Sequence, residues 1–263
     1  DNFQSSLTNY NMVIFAKSGA GKSVTMKTLI SRSSVLMGIE SLALDAEGEY
    51  TIVAESLGGI NVVISPTSQT IINLFDVETE VIKDEITGKE RVTLNIENKV
   101  EDVTQALLTM ARGSTRSDEV NELTKQIIAE SVAEEYAALG INSNPESLYK
   151  QSAGVMRGNI FSKEKKDMPT IGSWYRRIQG KARENTNSDY QYHYSYLLKV
   201  MKQYIREYDG QMAYFDGQST FELLEGAPFI NLDISQLEER FARPLAQQIL
   251  LSWIWEKFVK KNS

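Results

Sequence analysis

The run Ala16-Lys17-Ser18-Gly19-Ala20-Gly21-Lys22-Ser23 constrains this chain more than any other feature in it. The apolar stretch Met12-Val13-Ile14-Phe15 leads directly into it and predicts a buried parallel strand. A helical pattern follows, with Met26, Leu29 and Ile30 on one face and Gly38 placed to end it. Strand, glycine loop, Lys-Ser and helix in that order are the context in which a loop of this kind cradles phosphates. Gly19 and Gly21 let the backbone turn its N–H groups inward with no Cβ in the way. The amides of Gly21, Lys22, Ser23 and Val24 open the helix, where the dipole favours an anion. Lys22 can reach the outer phosphates of a nucleotide, and the Ser23 hydroxyl can ligate Mg²⁺. Ala16 stands where such loops usually carry their first glycine, a small change.

Composition narrows the remaining chemistry. The 263 residues include no cysteine, so disulfides, thiolate metal sites and cysteine nucleophiles are excluded. A single histidine, His193, argues against a histidine metal site or a Ser–His–Asp triad. No basic-then-apolar leader opens the chain. The most apolar run, Leu245 to Ile254, falls far short of the ~20 residues that span a bilayer. The expectation is a cytosolic chain that can dock on a membrane complex. Net charge is −7 with a pI near 5.0, unlike a protein that coats DNA. The charge is uneven. Residues 163–183 carry seven basic and two acidic side chains, a net of +5, while 101–139 carry three and eight, a net of −5. The plainer reading is a basic loop and a solvated helix face, although a basic patch can meet nucleic acid on an acidic chain.

Leu42 to Tyr50 reads as a second buried strand whose C-terminal end carries Asp45, Glu47 and Glu49. Parallel α/β sheets bind ligands at such ends. Glu47 is the preferred candidate to orient an attacking water, while acids that cap the turn before a helix at Tyr50–Leu57 are an equal reading. Ile60 to Ile64 is a third strand, stopped by Pro66. Val77 to Asn95 suits a β-hairpin turning at Asp84 to Lys89. From Glu97 to Tyr208 the spacing turns helical, and the stripe of Tyr190, Tyr194 and Tyr204 reads as packing. Ala213 to Asp216 and Phe229 to Asp233 suggest strands again, and Gln236 to Lys260 one long helix. The expected fold is α/β: a P-loop core with a mainly parallel sheet, a hairpin and an inserted all-helical subdomain, and the resemblance given next implies that this core is RecA-like. Its boundaries are 1–96 for the first part of the core, 97–210 for the insertion and 211–263 for the rest. No apolar run followed by Asp-Glu is present, and Ile234 stands where that glutamate would follow Asp233.

The ordered set of motifs resembles the large conjugation ATPases of type IV secretion systems, the TraC-like, VirB-four type, in the HerA–FtsK group of RecA-like motors. The resemblance runs through the whole chain. It rests on the loop at 16–23, on Leu44-Asp45-Ala46-Glu47-Gly48-Glu49-Tyr50, and on Ile72-Asn73-Leu74-Phe75-Asp76, where the family tends to have proline at 74. Tyr214-Phe215-Asp216-Gly217 and Phe229 to Ser235 before a long helix complete it. The resemblance implies ATP and Mg²⁺ as cofactors, hydrolysis of ATP, assembly as a hexamer, and partners at the cytoplasmic face of an inner-membrane channel. There the family drives pilus assembly and export of DNA or protein. Its layout places an Asp-Glu-Ala strand shortly after Ser263, so the chain is expected to stop before that strand and to bind nucleotide better than it hydrolyses it. Only the loop residues carry over one by one; Glu47 rests on the acid that related RecA proteins place after the corresponding strand. Two alternatives stand beside this. One is a DNA pump or helicase of the same group, touching DNA through Lys163, Lys165, Lys166, Arg176 and Arg177 beside Trp174 and Tyr175. The other is a small-molecule kinase or a nucleotide-gated regulator.

Overall fold

The computed structural model describes residues 12–17, 19–83, 90–113, 120–150, 164–221 and 226–260. In chain order its elements are α1 (Lys22–Met37), β1 (Ser41–Asp45), α2 (Thr51–Ser56), β2 (Ile60–Val63), β3 (Glu80–Lys83), β4 (Glu90–Thr93), α3 (Ile96–Arg112), α4 (Glu122–Ala138), α5 (Ile171–Glu184), α6 (Ser188–Met201), β5 (Phe229–Asp233) and α7 (Ala242–Ile254). They form two compact units, residues 1–62 with 225–233 and residues 63–224 with 234–263.

The first unit is α/β. Its sheet has the order β1-β5-β2, and β1 runs parallel to β5 from Ser41 opposite Phe229 to Asp45 opposite Asp233. Every residue of β5 is buried, as a central strand covered on both faces should be. Phe229 packs with Val53 and Ala54 of α2, and Ile30, Ala43, Tyr50 and Leu57 close around them. Gly59 passes so near this strand that a Cβ there would sit 2.2 Å from the Phe229 carbonyl oxygen, which leaves room for glycine alone. Gly38 ends α1 in the left-handed region at φ 65°, and its N–H reaches the Ser34 carbonyl at 3.0 Å.

The second unit holds the helices and the hairpin, in which Val81 lies opposite Val92. The expected turn of that hairpin, Asp84 to Lys89, lies outside the described residues. The helix starts follow from their caps. Asn121 with Thr124 and Thr170 with Ser173 each form a reciprocal capping box at α4 and α5. Leu107, Ile128, Val132, Trp174, Ile178, Leu197 and Met201 form the buried interior. Its tyrosines bring their hydroxyls to backbone carbonyls: Tyr136 to Phe75 at 2.6 Å, Tyr204 to Met110 at 3.2 Å. Within the stripe Tyr194 and Tyr204 are buried and Tyr190 is half-buried, its ring 6.3 Å from that of Tyr194, so these rings pack.

Three expected elements differ. Met12 to Phe15 forms no strand, and Phe15 is 91% exposed. An apolar run supplies a strand's side chains but not the neighbouring strand that makes it a ladder. Ala213 to Phe215 is a 3₁₀ turn, because the Asp216 carboxylate is drawn back to the amides of Gly172 (2.7 Å) and Arg206 (2.9 Å). The long helix begins at Ala242, not Gln236. The Glu238 carboxylate accepts the amides of Arg240 and Phe241 at 2.8 Å each and of Ala242 at 3.3 Å, so the backbone before that point is held in a cap. Past Ile254 the helix widens into a π turn over Trp255–Val259.

Candidate phosphate-binding site

In the loop predicted to hold phosphates, two glycines take left-handed backbone angles. Gly19 and Gly21 sit at φ 78° and 87°, where an L side chain is strained, and a Cβ at either would meet no atom within 4 Å. Both glycines are therefore needed for their backbone angles and not for lack of space. The Ala20 amide closes the loop on the Lys17 carbonyl at 3.1 Å. Gly21 is the N-cap of α1, no side chain caps it, and the first turn of α1 contains no acidic residue. The amides that open α1 thus present their donors and the positive end of the helix with no acidic side chain competing there. Lys22 and Lys17 are exposed beside them, with Ala16, Ala20 and Val24, and Ser23 is half-buried. Ser18 lies outside the described residues. This donor set fits a polyphosphate. Among the described residues no group of three or more His, Cys, Asp or Glu could hold a metal ion. A Mg²⁺ would then be held through the Ser23 hydroxyl and phosphate oxygens, the usual way for a cation that keeps much of its water.

The acids after β1 divide their roles. Asp45, only 2% exposed, is bound by the turn that follows it. Its Oδ1 accepts from the amides of Glu47 (3.1 Å) and Gly48 (2.9 Å), and its Oδ2 from the amide of Tyr50 (2.9 Å). Asp45 thus caps the turn into α2, and Glu47 stands exposed on that turn. Burial raises the Tyr50 hydroxyl's pKa above its ordinary value, and the charges of Glu49 and Asp45 push the same way. Asp233 ends β5 directly opposite Asp45 and is 6% exposed, so two carboxylates share the C-terminal end of the parallel pair. Two residues before Asp233 on β5, opposite Ala43, Asn231 is fully buried. Its Nδ2 donates to Asn61 Oδ1 at 2.8 Å and to Asp45 Oδ2 at 3.4 Å, while its Oδ1 has no donor among the described residues. The expectations above did not single out Asn231, although one polar residue inside Phe229-Ile230-Asn231-Leu232 was the available signal.

The basic set proposed for DNA does not form a stacking surface. Trp174 is fully buried and donates to Ser131 Oγ at 2.7 Å, and Tyr175 is buried with its hydroxyl on the Leu198 carbonyl at 2.8 Å. Lys165 pairs with Glu78, Arg176 with Glu207 at 3.1 Å, and Arg177 with Glu135 at 2.5 Å. Lys166 donates to the Leu139 carbonyl at 2.7 Å, and Lys163 lies outside the described residues. The aromatic side chains went into the core because α5 turns that face inward. A cleft of about 1160 Å³ in the second unit, lined by Tyr196, Tyr204, Tyr214 and Phe241, includes no residue of the phosphate loop. A phosphate cradle is a shallow row of amides and forms no deep cavity.

The family model described as the central domain of helicase HerA matches residues 5–189 of this chain. Comparison with curated protein sequences finds no match. Among solved structures, the chain is similar to VirB4 of Thermoanaerobacter pseudethanolicus at a TM-score of 0.64 and 21% identity, over 92% of this chain and 77% of that one. At that identity the likeness speaks for the fold, and it agrees with an α/β, RecA-like core with a mainly parallel sheet.

Proposed function

This chain belongs to the family of the HerA helicase central domain, a VirB4/HerA-type ATPase, and on that footing we propose that it is the ATP-binding motor domain of a type IV secretion or conjugation system. The observation that carries the nucleotide part is the uncapped start of α1, reached through two glycines in the left-handed region and followed at once by Lys22. ATP brings the phosphoanhydride whose hydrolysis supplies the work, and Mg²⁺ neutralises charge on its outer phosphates. The amides of Gly21 to Val24 hold the phosphate oxygens, Lys22 adds a charge on the outer ones, and Ser23 supplies the metal's protein oxygen. Glu47, exposed at the sheet end behind the Asp45 cap, orients the attacking water.

In this reading residues 1–96 and 211–263 form the motor core and 97–210 an insertion that meets partners. The chain acts as a ring, in keeping with the hexamers of the family it resembles, docked on the cytoplasmic face of an inner-membrane channel. There it drives pilus assembly or the passage of DNA or protein. The matched family carries the word helicase, which keeps a DNA-pumping motor as the second reading. Direct DNA contact through Lys165, Lys166, Arg176 and Arg177 is the weaker form of it, since their partners are acids or carbonyls of the chain itself.

MgATP turnover measured across protein concentration, with and without single-stranded DNA, separates the readings. Slow turnover that rises with protein concentration and ignores DNA supports the secretion motor. Turnover that needs DNA and collapses as salt rises moves the assignment to the pump. Phosphate transferred to a small acceptor by a monomer overturns both.

A further inference from the structure

One buried polar side chain that the phosphate loop does not use is Asn231. It sits at the middle of β5, fully buried, between Ile230 and Leu232, where an apolar residue would pack as well and leave no orphan atom. Instead Asn231 Oδ1 is buried with no donor among the described residues, an expensive arrangement that needs a reason. The reason lies at its other end. Asn231 Nδ2 bridges Asn61 Oδ1 on β2 and Asp45 Oδ2 on β1, a polar thread across all three strands. The 3.4 Å bond to Asp45 is long, but the acceptor is a buried carboxylate, which strengthens it. Asp45 in turn holds the amides of Glu47, Gly48 and Tyr50. Each link lies on the sheet or on the turn that leaves it.

We propose that Asn231 is a positioning residue, fixing through Asp45 the turn that presents Glu47 at the C-terminal end of the sheet. Asn231 touches no substrate; its effect is on where Glu47 stands. The inference rests on the ATPase reading above and deepens it. A residue that only packs β5 would, when changed, loosen nucleotide binding and turnover together. A residue that sets the turn lowers turnover and leaves ATP binding in place.

The test compares steady-state kcat and KM for MgATP in the unaltered chain, in Asn231→Leu, which keeps volume but loses the bridge, and in Asn231→Ser, whose hydroxyl stops short of Asp45. Thermal melts confirm that each variant is folded, and the serine variant carries the test if the leucine one is not. The expected result is kcat reduced tenfold or more with KM within about twofold of the unaltered chain. Equal loss in kcat and in ATP affinity, or no change in either, overturns the inference and leaves the ATPase reading intact. An unaltered chain whose turnover survives Lys22→Ala overturns that reading, and the inference falls with it.

Discussion

Replacing Asp45 by asparagine exchanges one oxygen for an NH₂ group and tests most of the local account. The carboxylate accepts four donors, two on each oxygen, at distances between 2.9 and 3.4 Å. An amide in its place keeps one acceptor oxygen. Whichever way it turns, its NH₂ faces two donors and can accept from neither. Hydrogen bonds to a charged acceptor contribute about 1.5–3 kcal/mol each, and the retained pair weakens as the charge is lost. Asp45 is 2% exposed, so water does little to replace them. The expected cost is about 3–5 kcal/mol, in the range seen when one partner of a buried charged network is removed. Urea unfolding followed by far-UV circular dichroism measures it, with Glu47→Gln, an exposed neighbour on the same turn, as the control expected within about 0.5 kcal/mol. A stability loss for Asp45→Asn below about 1 kcal/mol would refute the claim that this carboxylate holds the turn.

Four further perturbations follow from the structure. Gly59→Ala should cost about 3 kcal/mol, the upper end for overpacking, because the Cβ meets backbone atoms of Phe229 that no side-chain rotation can move. Gly180→Ala, inside α5 with nothing within 4 Å, should stabilise by about 0.5–1 kcal/mol, and thermal melts of the two variants must therefore move in opposite directions. Lys99 is fully buried, its pKa lowered because desolvation outweighs the pull of Glu256, Asp102 and Asp76, and Glu256 and Asp76 keep Lys260 and Lys257 as partners, so Lys99→Met should leave stability unchanged or raise it; a urea midpoint that falls contradicts this. Burial raises the pKa of Glu78, but Lys257 and Lys165 outweigh it and hold the carboxyl below its ordinary 4.5. A lowered folded-state pKa means that this contribution is complete above about pH 4.5 and fades as pH falls below it. The acid-induced loss of stability should therefore shrink in Glu78→Gln, as read from melts between pH 3 and 6 in units small enough to resolve the slope.

The parts of the fold legible in the sequence are those whose signals are local. Gly19, Gly21 and Lys22 announce the loop because the backbone angles and the charge are properties of those residues themselves. Gly38 ends α1 as read, and the α4 and α5 boxes are spelled out by Asn121–Thr124 and Thr170–Ser173. Pro244 in the first turn of α7 marked that helix's start better than the apolar periodicity from Gln236 did. What was not legible depends on partners distant in sequence. Met12 to Phe15 has strand composition but no ladder among the described residues, and Ala213 to Asp216 is bent by amides at positions 172 and 206. Trp174 and Tyr175 stand next to Arg176 and Arg177 in sequence, yet helical geometry sends the rings into the core and the charges to acids on other helices. Asn231 gained its meaning only when β1 and β2 were placed on either side of it.

The central claim is that the start of α1 holds the phosphates of ATP. Titrating a fluorescent ATP analogue with Mg²⁺ into the unaltered chain and into Lys22→Ala tests it most directly. A charge-assisted contact of about 1.5–3 kcal/mol corresponds to roughly 10- to 150-fold in affinity. The account predicts saturable binding by the unaltered chain, weakened at least tenfold in Lys22→Ala. Equal affinity in the two proteins, or no saturable binding by either, would contradict it.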